Sequence, residues 1–151
     1  IDQCENSYSM ADYVNCQIAA QLAKITKKFK SYYIHISTDH YYNNNLKIHN
    51  EEHDVVLLNN YAITKFNAEK KVLESSDNSL VVSTNIIGFR RRLAKSFFEW
   101  LLYSLREEER IDLYTDYYSS PISVNQLGEI LIKCYQEKII GIYIILKIII
   151  Q

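Results

Sequence analysis

A tyrosine and a lysine stand four residues apart in Tyr61-Ala62-Ile63-Thr64-Lys65. On a helix that spacing brings both side chains to one face. A lysine ammonium near a phenol favours the phenolate and lowers the tyrosine pKa from about 10. A tyrosine tuned in this way can give a proton to a carbonyl oxygen or take one from an alcohol. Two more polar groups could share such a site. Ser37-Thr38-Asp39 follows the run Tyr32-Tyr33-Ile34-His35-Ile36, and Ser83-Thr84-Asn85 follows Leu80-Val81-Val82, close to Gly88. In open α/β sheets, ligands bind beyond the carboxyl ends of the strands. Each motif alone is common: a lysine can snorkel from a solvated helix face, and Ser-Thr after a strand can cap a turn or a helix. Their order and spacing together are far more specific.

The elements that must position these residues alternate. Residues 10–29 carry Met10, Val14, Ile18, Leu22 and Ile25 at helical spacing, and further helices are expected at 61–73, 94–106 and 124–135. In the second of these, Ala62, Phe66, Ala68, Val72 and Leu73 are the packing positions; in the third, Phe97, Phe98, Leu101, Leu102 and Leu105 form the apolar side. Strands are expected at 32–36, 80–83 and 141–145, with short extended pieces at 111–114 and Ile122. Residues 39–60 read as a long polar loop, and a loop of that length in a compact domain is usually functional or mobile. It is expected to be a substrate-side lid and the least ordered region, because Asn43-Asn44-Asn45 offers no apolar anchor. Strands alternating with helices of this length give an α/β class, a parallel sheet with covering helices.

Composition narrows the function. The chain has 151 residues and 17.8 kDa, which fits one domain or a piece of one. A formal net charge of -1 leaves no basic face for nucleic acid. Hydrophobic residues at 48% and charged residues at 23% are globular proportions, not those of a disordered chain. The three glycines, Gly88, Gly128 and Gly141, are too dispersed to build a G-x-G-x-x-G or Walker loop. Cys4, Cys16 and Cys134 form no C-x-x-C pair, and their odd number suits a reducing compartment. His35, His40, His49 and His53 do not pair with them at finger spacing, so no metal site is expected. No basic segment opens the chain as in a signal peptide. The apolar stretch 139–150 is about 12 residues, short of the roughly 20 that span a bilayer. A cytoplasmic protein without a membrane partner is expected. The chain does not begin with Met, which suits a fragment of a longer protein.

The motifs resemble the extended short-chain dehydrogenase/reductase superfamily, and within it the dTDP-4-dehydrorhamnose reductase-like sugar-nucleotide reductases. Cys4-Glu5, with Ala11 and Val14-Asn15, resembles the family's stretch after its third strand. Ile34-His35-Ile36-Ser37-Thr38-Asp39 resembles its strand ending in S-T-D. Asn60-Tyr61-Ala62-Ile63-Thr64-Lys65, with Glu69 following, resembles its Y-x-x-x-K helix. Ser83-Thr84-Asn85-Ile86-Ile87-Gly88 resembles its R-T-N-x-x-G segment, with Ser83 where arginine is usual. Ser96-Phe97-Phe98-Glu99-Trp100, Tyr114-Thr115-Asp116, Ser120-Pro121-Ile122 and Gly141-Ile142-Tyr143 resemble the substrate-side part and the closing strand.

The resemblance implies the C-terminal part of a Rossmann-like reductase fold, incomplete, in a single partial domain. Residues 1–90 would be the remainder of the sheet, 91–143 the substrate-side part and 144–151 an atypical apolar tail. It implies hydride transfer from NAD(P)H to a keto group on a nucleotide-linked sugar. Thr38, Tyr61 and Lys65 would be catalytic. Ser37, Tyr61, Lys65, Thr84 and Asn85 would face the cofactor, and Asp39, His40 and Tyr41 the substrate. A homodimer is an assembly open to such a protein. The family's glycine-rich half would precede Ile1 and is not in the sequence, so the chain alone is expected to bind the dinucleotide poorly and to be inactive. Two other readings stay open: a non-catalytic homologue like the regulatory subunit of methionine adenosyltransferase, and a sugar-nucleotide epimerase or dehydratase.

Overall fold

The computed structural model describes residues 1–42, 49–90, 96–113 and 119–145. The elements in chain order are α1 (Asp2–Asn6), α2 (Tyr8–Asp12), a π-helical turn (Tyr13–Gln17), α3 (Ile18–Lys28), β1 (Tyr33–Ile36), α4 (Asn60–Ser75), β2 (Ser79–Ser83), β3 (Ile86–Ile87), α5 (Phe97–Arg106), β4 (Ile122–Ser123), α6 (Val124–Glu137) and β5 (Gly141–Ile144). Strands β1, β2 and β5 form a parallel sheet in that order, with Ile34 opposite Leu80 and Val82 opposite Tyr143. The central strand β2 is buried at every residue, as the unbroken Leu80-Val81-Val82 run requires of a strand covered on both faces. Its side chains alternate between two cores. Val81 packs with Cys16, Ala19, Ala23, Ala68 and Val72 under α3 and α4, while Leu80 and Val82 pack with Ile122 and Leu127 on the α6 side. The expected parallel sheet with covering helices is the observed architecture.

Helical periodicity located the first helical stretch but chose the wrong face. Met10, Val14, Leu22 and Ile25 are exposed, whereas Ala11, Cys16, Ala19, Ala20 and Ala23 are buried. Small side chains let α3 lie close against α4 over Ala68. The π turn adds one residue to the spiral, so Ala11 and Cys16, five apart, fall on the same buried side. In α5 the difference is similar: Phe97, Leu102 and Leu105 are exposed and only Ser104 is buried. Ser96 and Glu99 form a reciprocal capping box that starts α5 at Phe97. Residues 111–113 are not a strand, and the short parallel pair β3–β4 sets Ile86 against Ile122. The expectations for Asn43-Asn44-Asn45, Ala94, Tyr114-Thr115-Asp116 and the apolar tail beyond Ile145 lie outside the described residues. Among the described residues no helix is long and apolar enough to cross a membrane.

Candidate functional site

Helix α4 begins where the sequence supplies a cap. Asn59 is extended, and its side-chain Oδ1 accepts a hydrogen bond from the Ala62 amide at 2.8 Å. The Asn60 amide, another orphan donor of the first turn, is taken by Glu5 Oε1 at 2.6 Å. Tyr61 is thereby fixed in the first turn, with Lys65 one turn later. On the other side, the Ser37 amide bonds to the Val82 carbonyl at 2.7 Å and carries the sheet pairing one residue past β1. The chain then turns: the His40 amide donates to Thr38 Oγ1 at 3.2 Å, the Tyr42 amide to the Asp39 carbonyl at 3.0 Å. The returning segment is tied to this turn, the Val56 amide donating to the Tyr41 carbonyl at 2.8 Å.

The turn and the helix meet at Tyr61. Its phenol lies close enough to the Thr38 side chain for Thr38 to favour the phenolate. His40 packs its ring edge-on against the phenol at 5.9 Å, and its Nε2 accepts from Asn59 Nδ2 at 3.0 Å. Burial pushes the Tyr61 phenol above its ordinary pKa; the nearby Thr38 side chain pulls it the other way, and Cys4 and Asp39 add to the rise. The expected lowering by Lys65 is not found. Lys65 Nζ is instead donated to the Ile36 carbonyl at 2.8 Å, so its charge is spent on a backbone dipole rather than on the phenol. Burial holds the Lys65 ammonium below its usual value, and burial with the nearby Lys65 charge lowers His35 to about 4. Asp39 is raised, chiefly by burial.

The remaining expected site residues take varied places. Thr84 is buried and donates to the Ile145 carbonyl at 2.6 Å; Asn85 Nδ2 donates to Ser119 Oγ at 2.8 Å. Ser37 is buried within 3.1 Å of the Tyr41 hydroxyl. Tyr41, expected at the substrate, is fully buried, with its hydroxyl donated inward to Glu69. Glu69 was not singled out for a role. Its signal in the sequence is an acidic residue one turn beyond Lys65, among the packing positions Ala68 and Val72. Among the described residues no group of three or more His, Cys, Asp or Glu could hold a metal.

The residues at hand suit one end of a nicotinamide dinucleotide. Tyr61 and Lys65 stand at the carboxyl end of β1, where a ribose and ring can be met by a phenol and an ammonium. The phosphate end is different: Gly88 lies against Val124, Gly128 is within α6 and Gly141 opens β5, so none belongs to a phosphate-cradling loop.

Several solved structures share the fold. The dTDP-4-dehydrorhamnose reductase (RfbD ortholog) of Clostridium acetobutylicum aligns with a TM-score of 0.85 at 22% identity, over 97% of this chain and 51% of that one. The dTDP-4-dehydrorhamnose reductase of Bacillus anthracis, solved in complex with NADP, aligns with a TM-score of 0.84 at 23% identity, over 97% and 52%. The Bordetella bronchiseptica enzyme WbmG, in complex with NAD and UDP, aligns with a TM-score of 0.77 at 16% identity, over 94% and 46%. The fold is therefore Rossmann-like, and the chain spans about half the length of the solved structures it matches. No curated protein matches it. Residues 1–145 match the family described as the RmlD substrate binding domain, and the chain belongs to that family.

Proposed function

We propose that this chain is the proton-delivering part of an NAD(P)H-dependent, cytoplasmic reductase acting on the keto group of a nucleotide-linked sugar. The observation that carries the reading is the convergence of Thr38 and Tyr61 at the carboxyl end of β1: the His40 amide bonds Thr38 Oγ1 while the His40 ring packs on the Tyr61 phenol, and Lys65, one turn along the same helix, reaches the Ile36 carbonyl. When bound, a reduced nicotinamide dinucleotide supplies the hydride. Thr38 orients the carbonyl oxygen and stabilises the charge that develops there. Tyr61, protonated at neutral pH because burial holds its pKa high, donates the proton that makes the alcohol. Lys65, one turn along α4, holds the nicotinamide ribose. Ser37, Thr84 and Asn85 border the cofactor, and Asp39 and His40 the sugar. The chain alone carries no glycine-rich loop and so holds the dinucleotide weakly and does not turn over.

The test is NAD(P)H consumption with a 4-keto sugar nucleotide in a longer form that carries a glycine-rich half. Thr38→Val there lowers kcat by about 10²–10³-fold, the usual cost of one oxyanion donor. Turnover undiminished by that change would remove Thr38 from the chemistry. A non-catalytic binding role is the second reading, and the observation in its favour is the Lys65 ammonium engaged by the Ile36 carbonyl.

A further inference from the structure

Behind the Thr38–Tyr61 pair, a buried polar chain joins three pieces of backbone. The Tyr41 hydroxyl, within 3.1 Å of Ser37 Oγ, donates to Glu69 Oε1. Ser83 Oγ donates to the same Glu69 oxygen at 2.8 Å. The turn after β1, the middle of α4 and the end of β2 are thus tied at one carboxyl. Tyr41 and Ser83 are fully buried and Glu69 is 2% exposed. Glu69 Oε2 is buried with no hydrogen-bond partner among the described residues.

No cation bonds this carboxyl among the described residues. Lys65 gives its ammonium to the Ile36 carbonyl, and Lys70 lies over the Phe66 ring at 4.4 Å. Strand β2 carries no ionisable side chain, and Ser83 stands where the resemblance leads one to expect arginine. The other ionisable groups on the strand and turn packed against it are Tyr33, His35, Asp39, His40, Tyr41 and Tyr42. A buried carboxylate with one bare oxygen and no counter-ion costs far more than the neutral acid, whose Oε1 can still accept from two hydroxyls. Burial accordingly pushes the Glu69 carboxyl up, against a smaller pull from Ser37 and Ser83.

We infer that Glu69 is held as a neutral carboxylic acid, and that Tyr41 and Glu69 are positioning residues that clamp the Thr38 turn onto the helix bearing Tyr61 and Lys65. The clamp brackets Thr38 on both sides, at Ser37 and at Tyr41. Tyr41 serves the site from behind and does not touch substrate. Its consequence for catalysis rests on the function proposed above; the state of the carboxyl and its hold on the turn do not.

The experiment uses the 151-residue chain with carboxyl-¹³C glutamate, followed by NMR through a pH titration. One glutamate carboxyl should keep the chemical shift of the protonated acid at neutral pH, and that signal should vanish in Glu69→Gln. All glutamates ionised at neutral pH would overturn the neutral acid, with no variant needed. In Tyr41→Phe, exchange of the His40, Tyr42 and Val56 amides should speed up by about tenfold, the loss of roughly one hydrogen bond, while β2 amides hold. In the wild type, the same amides should loosen in step with the Glu69 titration once intrinsic exchange is corrected for. Unchanged exchange in both would overturn the clamp. Neither readout involves cofactor or substrate, so a neutral Glu69 here with no turnover in a longer form carrying a glycine-rich half would count against the proposed function and not against the clamp.

Discussion

At the residue scale, the polar groups divide by what surrounds them. The placement of Thr38 just past β1, and of Tyr61 and Lys65 in the first turns of α4, was legible in the sequence because spacing along a helix and the end of a strand both have fixed geometry. Tyr41 and Glu69 were not, because nothing in a linear pattern tells that a tyrosine three residues past Thr38 folds inward to a carboxyl on another element. The direction of the Tyr61 shift was also hidden: it is set chiefly by burial, which only the packing around the phenol reveals. His35 gives a prediction at this scale. It is 8% exposed, its Nε2 has no hydrogen-bond partner among the described residues, and its pKa is lowered to about 4 from 6.5. As pH falls below about 6.5 the unfolded chain takes up a proton that the folded one refuses until about 4. Stability is therefore lost across that window, by roughly 3 kcal/mol in all. Asp39 and Glu69, raised by burial, act with the opposite sign, so the comparison is with His35→Gln. Chemical denaturation at several pH values should show a flatter acid limb in that variant; parallel acid limbs would contradict the assignment.

At the element scale, α4 does most of the positioning, and its start depends on Asn59. Asn59→Ala should destabilise the chain by about 1 kcal/mol, the usual cost of a lost N-cap, read as a shifted urea midpoint with unchanged slope. A neutral substitution would mean that Glu5 on the Asn60 amide fixes the helix start alone. The existence of α4 and α6 was legible from their helical period, and that of β1, β2 and β5 from short β-rich runs bounded by turn residues, whereas the two-residue β3 was not. The buried faces of α3 and α5 were not: period alone marks an apolar stripe, and here alanines pack while larger side chains face outward. The π turn that rotates the face leaves no mark in composition. The described residues on either side of 43–48 are tied to the rest of the fold: Tyr41 is buried, the Val56 amide is bonded to its carbonyl and Glu51 accepts from the Ile144 amide at 2.8 Å.

At the scale of the whole molecule, the described surface carries apolar side chains that a solitary domain would bury. Leu22, Ile25 and Phe29 are 45%, 50% and 70% exposed along and just beyond α3, and β1 pairs only with β2 among the described strands. Exposed stripes and open edges of this kind drive association. Sedimentation of the 151-residue chain should show concentration-dependent assembly, weakened by Leu22→Glu with Ile25→Lys. A chain that stays monomeric at every concentration would contradict this.

The central claim, that Tyr61 delivers the proton, is tested most directly by Tyr61→Phe in a longer form carrying a glycine-rich half. The ring keeps its packing against His40 and loses only the hydroxyl that meets Thr38. NAD(P)H consumption with a 4-keto sugar nucleotide should fall by about 10²–10⁴-fold, the worth of general acid catalysis. Turnover equal to that of the unsubstituted protein would contradict the account.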